Sequence, residues 1–154
     1  DAVRHDFPSV DVAQDGSIYV TWSRRTGGDS AWDIFVRKLN AQLQPLSEPL
    51  LIGASAQHPE LAGTQVRSRI ATLPNGESIV TWSAFDPSQQ QWNIAAQRLS
   101  AAGTLIGEPF RVNRQSGGVQ KDPDIAVSSD GRVKQKLSVQ AADVREPAWG
   151  PLVK

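Results

Sequence analysis

Two tryptophans, Trp32 and Trp92, stand sixty residues apart, each where a polar loop gives way to an apolar run. A Trp so placed can lay its ring against the apolar face of a sugar. Neighbouring cations, carboxylates and amides then bond the hydroxyls. Arg24, Arg25, Asp29 and Asp33 are the polar companions of Trp32, and Asp86, Gln91 and Asn93 are those of Trp92. The other role open to both Trp is packing at the boundary between structural units. The two sets of companions match only in part, which argues against two identical sites.

Other residue types able to do chemistry give weaker patterns. Glu48 and Glu108 are also sixty residues apart, each followed by Pro. Paired carboxylates flank the scissile bond in glycoside hydrolysis, but a repeat relation explains this pair without catalysis. Asp11, Asp15, Asp122, Asp124 and Asp130 fall near expected turns. They lack the spacing of a calcium-binding loop, so turn formation is their expected role and calcium the one cofactor left open. His5 and His58 are isolated, and cysteine is absent, so no metal-ligand set is expected. Phosphate-binding glycine loops and nucleophile elbows are missing from the sequence. No catalytic residue and no metal site is assigned.

Composition narrows the classes further. The 154 residues are enough for a single domain with its own core. Lys plus Arg total 16, matched by 16 Asp plus Glu, so nothing marks a nucleic-acid partner. No apolar run reaches the length of a membrane-spanning helix. Methionine is absent and the chain starts at Asp1, as expected of a processed or excised piece.

What positions the two Trp is a repeat. Gly16 recurs as Gly76, Trp22 as Trp82, Leu39 as Leu99, and Glu48-Pro49 as Glu108-Pro109. Val20-Thr21-Trp22-Ser23 recurs letter for letter as Val80-Thr81-Trp82-Ser83. Eleven identities fall between positions 10 and 52 at this one shift, without a gap. A fixed period of this kind marks a repeat architecture. Pro123-Asp124-Ile125-Ala126 and Asp130-Gly131 begin a third copy, with a connector five residues shorter. Ser138 then falls where Ser23 and Ser83 sit, but Gln135-Lys136-Leu137 replaces Val-Thr-Trp, so the third unit reads as degenerate or partial. The chain divides into repeat one, about 6–58, repeat two, about 66–118, and a partial third, about 119–154, within one domain.

Each repeat reads as four strands. The first covers Ser9–Ala13 and its copy Arg69–Leu73, and ends at an Asp15-Gly16 or Asn75-Gly76 turn. The second, Ser17–Ser23, alternates Ile18, Val20 and Trp22 with Tyr19 and Thr21, the period of a strand buried on one face. The third covers Trp32–Leu39 and Trp92–Leu99, and the fourth Leu50–Ile52 and Phe110–Val112. Trp22 and Trp82 are expected in the core between repeats. The fold class is therefore all-β, with four-stranded antiparallel blades forming an incomplete β-propeller. A β-sandwich is the alternative.

The motif resembles the blades of sialidase-like (BNR-type) β-propellers and the tandem repeats of large secreted bacterial surface proteins. The likeness rests on Pro-x-Val/Ile, then Asp-Gly, Val-Thr-Trp-Ser, Asp-Ile and Glu-Pro, over roughly positions 6–131. It implies a secreted or cell-surface protein. The sialidase Asp-box spacing fails here. The one Tyr, Tyr19, has Ile79 as its copy, so no nucleophile is carried over. The expected function is an extracellular, non-catalytic binding module for a glycan or cell-surface partner. Trp32, Trp92, Arg24, Arg25, Asp29, Asp33 and Asn93 are its ligand-binding candidates. A structural or adhesive repeat and a fragment of a sialidase-like glycoside hydrolase are the alternatives. Uncovered blade faces and edges predict self-association or further blades.

Overall fold

The computed structural model describes residues 3–27, 31–114, 118–128 and 133–136. Asp29, Asp130 and Ser138 lie outside the described residues. Among the described residues ten strands run in order: β1 (His5–Val12), β2 (Ile18–Arg25), β3 (Trp32–Leu39), β4 (Leu50–Ile52), β5 (Gln65–Thr72), β6 (Ser78–Asp86), β7 (Gln91–Leu99), β8 (Leu105–Arg111), β9 (Asp124–Val127) and β10 (Val133–Lys136). One 3-10 turn, Pro59–Leu61, lies between β4 and β5. Strands β1 to β4 form one antiparallel sheet in chain order, and β5 to β8 form a second. A β9–β10 hairpin follows. These are blades stacked by their faces in an open, incomplete propeller.

The hairpin joining the first two strands repeats atom for atom. Ala13 N–H donates to Ser17 O at 2.8 Å, and Leu73 N–H to Glu77 O at 2.7 Å. Gly16 and Gly76 take φ of 81° and 84°, a region only glycine enters cheaply. The first strands start four residues earlier than the sequence pattern shows. A bulge explains it: pairing slips between Asp6 and Ser9 in β1, and between Val66 and Arg69 in β5. The bulge shifts side chains between faces, so the two-residue period breaks there. Strand β8 also starts early, with Pro109 inside it. As an edge strand it tolerates the missing N–H.

Cross-strand pairs share a face, which assigns the core. Tyr19, Ile34, Val36 and Ile52 from blade one meet Ile70, Val80, Trp82, Ala84, Ala95 and Leu99 from blade two in one buried cluster. Tyr19 donates its hydroxyl to Ala101 O at 3.0 Å, linking the sheets. The core expectation therefore holds for Trp82, which is fully buried. It fails for Trp22, which lies half-buried on the other face of blade one. Blade one turns its Tyr19–Thr21–Ser23 side to the neighbour, and the Ile18–Val20–Trp22 side faces outward.

Hydroxyls fix the register between blades. Ser23 Oγ accepts the Arg67 N–H at 3.2 Å, and its copy Ser83 Oγ accepts the Asp122 N–H at 3.0 Å. Thr21 donates to Phe35 O at 2.9 Å and bonds Ser68 Oγ at 3.1 Å. The repeated Thr and Ser of the Val-Thr-Trp-Ser block thus set how one blade meets the next.

Candidate functional site

Strands β1, β5 and β9 open the three successive units and lie side by side where the sheets meet. Their starts converge on one end of the stack, together with the β2–β3 and β6–β7 hairpin ends that carry Trp32 and Trp92. The same repeat position, within β1 and β5 and just before β9, is Phe7, Arg67 and Asp122. All three hold positive φ, at 53°, 60° and 59°. A left-handed backbone at a residue other than glycine costs about 1–3 kcal/mol, and such strain gathers at binding and catalytic sites. Serine hydroxyls hold it in the second and third units, Ser23 taking the Arg67 N–H and Ser83 the Asp122 N–H.

Each strand start places a cation beside an aromatic ring. The Arg4 guanidinium lies 5.8 Å from the Trp32 ring centroid. Arg67 lies 5.4 Å from Phe7, and Lys121 lies 4.2 Å from Trp92. These separations are within cation–π range. Carboxylates complete the cluster. Asp6 meets Arg4 at 3.1 Å, and Asp122 pairs with Arg67. Phe85 packs against Trp92 at 5.3 Å.

Behind this surface lies a buried amide network. Asn113 Nδ2 donates to Asn93 Oδ1 at 3.1 Å and to Gln120 Oε1 at 2.6 Å, while Asn113 Oδ1 accepts the Ile94 N–H at 2.8 Å. Gln65, one repeat before Gln120, donates to Leu61 O at 3.0 Å and Gly53 O at 3.2 Å. Asp86 closes the β6–β7 turn by accepting from the Ser88 hydroxyl at 2.6 Å and the Ser88 N–H at 2.8 Å. The Ser88 hydroxyl, aided by the Ser88 and Gln89 N–H groups, outweighs burial and holds the Asp86 carboxyl below its ordinary value. These contacts stiffen the loop that presents Trp92.

The sequence candidates separate. Trp32, Arg24, Arg25 and Asp33 share one hairpin end, with Arg24 opposite Asp33 and Arg25 opposite Trp32. Asp33 takes the Thr26 hydroxyl, and Arg24 stacks 4.8 Å over Phe35 on the outer face of blade one. Trp92 and Asn93 lie in the other sheet. Trp92 is half-buried, whereas Asn93 is fully buried in the amide network and turned away from solvent. Glu48 is exposed, 4.0 Å from Arg37. His58 bonds Glu60 at 3.0 Å. Among the described residues no three His, Asp or Glu converge as a metal site.

Arg4, Phe7, Arg67 and Lys121 were not marked by the sequence pattern, and Asp122 was marked only as a turn former. Phe7, Arg67 and Asp122 share a backbone conformation and no side-chain chemistry, so a search for repeated letters passes over them. Extending the repeat alignment upstream of position 10 is the one signal that finds them.

No family model matches the chain. A stretch of 29 residues is 93% identical to the Tol-Pal system protein TolB of Azoarcus sp. (strain BH72), and a similar stretch is 86% identical to that of Aromatoleum aromaticum. Each covers 19% of this chain and 7% of the relative, so the chain spans a small part of those proteins. Solved structures match across most of the chain. An endo-arabinase from Bacteroides thetaiotaomicron aligns over 94% of it with a TM-score of 0.61 and 17% identity. A GH43_1 enzyme from Xanthomonas citri aligns over 86% with a TM-score of 0.60 and 17% identity. A family 117 glycoside hydrolase from Zobellia galactanivorans gives 0.58 and 12% over 86%. The chain covers 54%, 39% and 47% of those three chains, about half of each. At such identities the likeness establishes the fold: this chain shares the blade architecture of glycan-processing hydrolases.

Proposed function

We propose that this chain is a non-catalytic glycan-binding unit of the propeller class, secreted or carried at the cell surface, with Trp32 and Trp92 as its stacking rings. One observation carries the reading. Both Trp keep part of their surface in contact with solvent at the end where the first strands begin, while Trp82 keeps none. An amphipathic ring left half-exposed beside charged groups is suited to binding a sugar. The left-handed backbones at Phe7, Arg67 and Asp122 mark the same end.

Tryptophan fluorescence, titrated with an oligosaccharide panel with and without calcium, tests this. A saturable shift with at least one sugar, abolished in Trp92→Ala, is expected. A flat response across the panel sinks the reading and leaves the structural or adhesive repeat in its place.

The fold neighbours favour a second reading, in which the chain is part of a glycoside hydrolase propeller, sialidase-like or otherwise. Release of reducing ends from the same panel separates the two: turnover supports the hydrolase, and binding without turnover supports the module.

A further inference from the structure

We infer that the ligand of this end is an acidic glycan, a chain carrying uronate carboxylates; the inference rests on the glycan-binding reading above. Three cations from three successive strand starts sit on three aromatic rings: Arg4 on Trp32, Arg67 on Phe7 and Lys121 on Trp92. The pairs arise differently. Arg4 precedes β1 of its own blade, Arg67 lies inside β5 and reaches back to blade one, and Lys121 precedes β9 and reaches back to blade two. Repeat copying therefore does not explain the recurrence, because the three cations occupy different repeat positions.

The pairing decides between neutral and acidic sugars. A neutral sugar stacking on Trp92 competes with Lys121 for the ring. A uronate uses both groups at once: its C–H face meets the ring, and its carboxylate meets the ammonium or guanidinium. The protein's own carboxylates already occupy such positions. Asp122 pairs with Arg67 and Asp6 with Arg4. The Arg67 and Asp122 side chains are 46% and 53% exposed. An ion pair that exposed is largely screened by solvent and contributes little, so a ligand carboxylate replaces Asp122 at little cost. The bulge at Arg67 turns its side chain out of the strand's regular alternation, into the space between Phe7 and Asp122.

The test compares oligogalacturonate with the same oligomer after reduction of its carboxyls to neutral galactose units, by calorimetric titration of the whole chain. The acidic oligomer is expected to bind about tenfold more tightly or better, a ratio that falls as salt rises. Arg67→Asn keeps a residue that tolerates the left-handed backbone, and Lys121→Gln keeps the length of the side chain. Each is expected to weaken the acidic oligomer about tenfold and so to narrow or abolish its advantage over the reduced one. Equal affinity for the two oligomers overturns the acidic class and leaves the glycan reading standing. Failure of both oligomers and of the neutral panel to bind overturns the two together. A melting temperature within about a degree of the parent confirms that each variant is folded.

Discussion

Blade one and blade two carry the same Val-Thr-Trp-Ser strand and give its tryptophan opposite environments. Trp82 is fully buried because blade one lies on its face. Trp22 is half-buried, and no sheet among the described residues covers it. The surrounding residues follow suit. Ala84, Ala95 and Gln97 hold in blade two the places that Arg24, Phe35 and Arg37 hold in blade one. Small residues on the covered face let the next sheet approach to its packing distance of about 10 Å. On the uncovered face the large side chains cover one another: Trp22 stacks on Phe35 at 6.1 Å, and Arg24 lies 4.8 Å over the same ring. Val10 and Val12 remain 61% and 57% exposed, beside a recess of about 380 Å³ lined by His5, Trp22 and Arg37. A repeated sequence fixes a strand's shape, while the neighbour it receives fixes the environment.

The largest expected effect breaks that pair apart. Trp82→Ala opens a cavity between the blades and costs about 3–5 kcal/mol of unfolding free energy. Trp22→Ala removes a ring that still meets water and costs about 1 kcal/mol. Urea denaturation of both variants measures the gap. Equal losses mean that the outer face of blade one is covered in solution, and sedimentation velocity then reports whether a second copy covers it.

The same contrast shows how far the sequence could be read. Strands β3 and β4 match their expected limits residue for residue, because polar loops, Pro49 and alternating side chains bound them. The stacking of blades was legible from the sixty-residue period. Which face of blade one turns inward was not. Ile18, Val20 and Trp22 are the more apolar set, yet Tyr19, Thr21 and Ser23 are the buried set. Tyr19 and the two hydroxyl residues are satisfied by bonds across the interface, a compensation that hydropathy alone does not reveal. The site was half legible. Trp32 and Trp92 announce themselves by type and spacing, whereas their cations come from residues distant in sequence that only the fold brings near.

Hydroxyls at the interface sharpen the comparison on a smaller scale. Ser23→Ala strands the Arg67 N–H and Ser83→Ala the Asp122 N–H, each at a cost of about 1–3 kcal/mol. The threonines differ in sign. Thr21 has two partners, so Thr21→Val costs about 1 kcal/mol. Thr81 Oγ1 is buried without a partner, because Pro123 stands where Ser68 stands one unit earlier. Thr81→Val removes an unsatisfied group from the core and is expected to be neutral or stabilising. Chemical denaturation of the four variants decides the matter. A loss at Thr81 equal to that at Thr21 breaks the account of the register.

The smallest effect lies in the two matching hairpins and shows only in acid. Asp15 Oδ1 accepts the Ser17 N–H at 2.9 Å, and Asn75 Oδ1 accepts the Glu77 N–H at 3.1 Å, so one turn is built with a carboxylate and the other with an amide. The Ser17 hydroxyl, then its N–H, holds the Asp15 carboxyl below its ordinary value of 3.8. A carboxylate whose value is lowered by folding stabilises the native state above its unfolded value. That contribution disappears as pH falls through the folded value. Asp15→Asn gives blade one the turn chemistry of blade two. At neutral pH the variant is expected to melt with the parent, since the amide oxygen takes over the N–H bond. Below the ordinary aspartate value the parent's melting temperature falls more steeply than the variant's. Parallel acid limbs for the two proteins mean that protonating the Asp15 carboxyl costs the turn nothing, and the hydrogen bonds from Ser17 then do not couple that turn to pH.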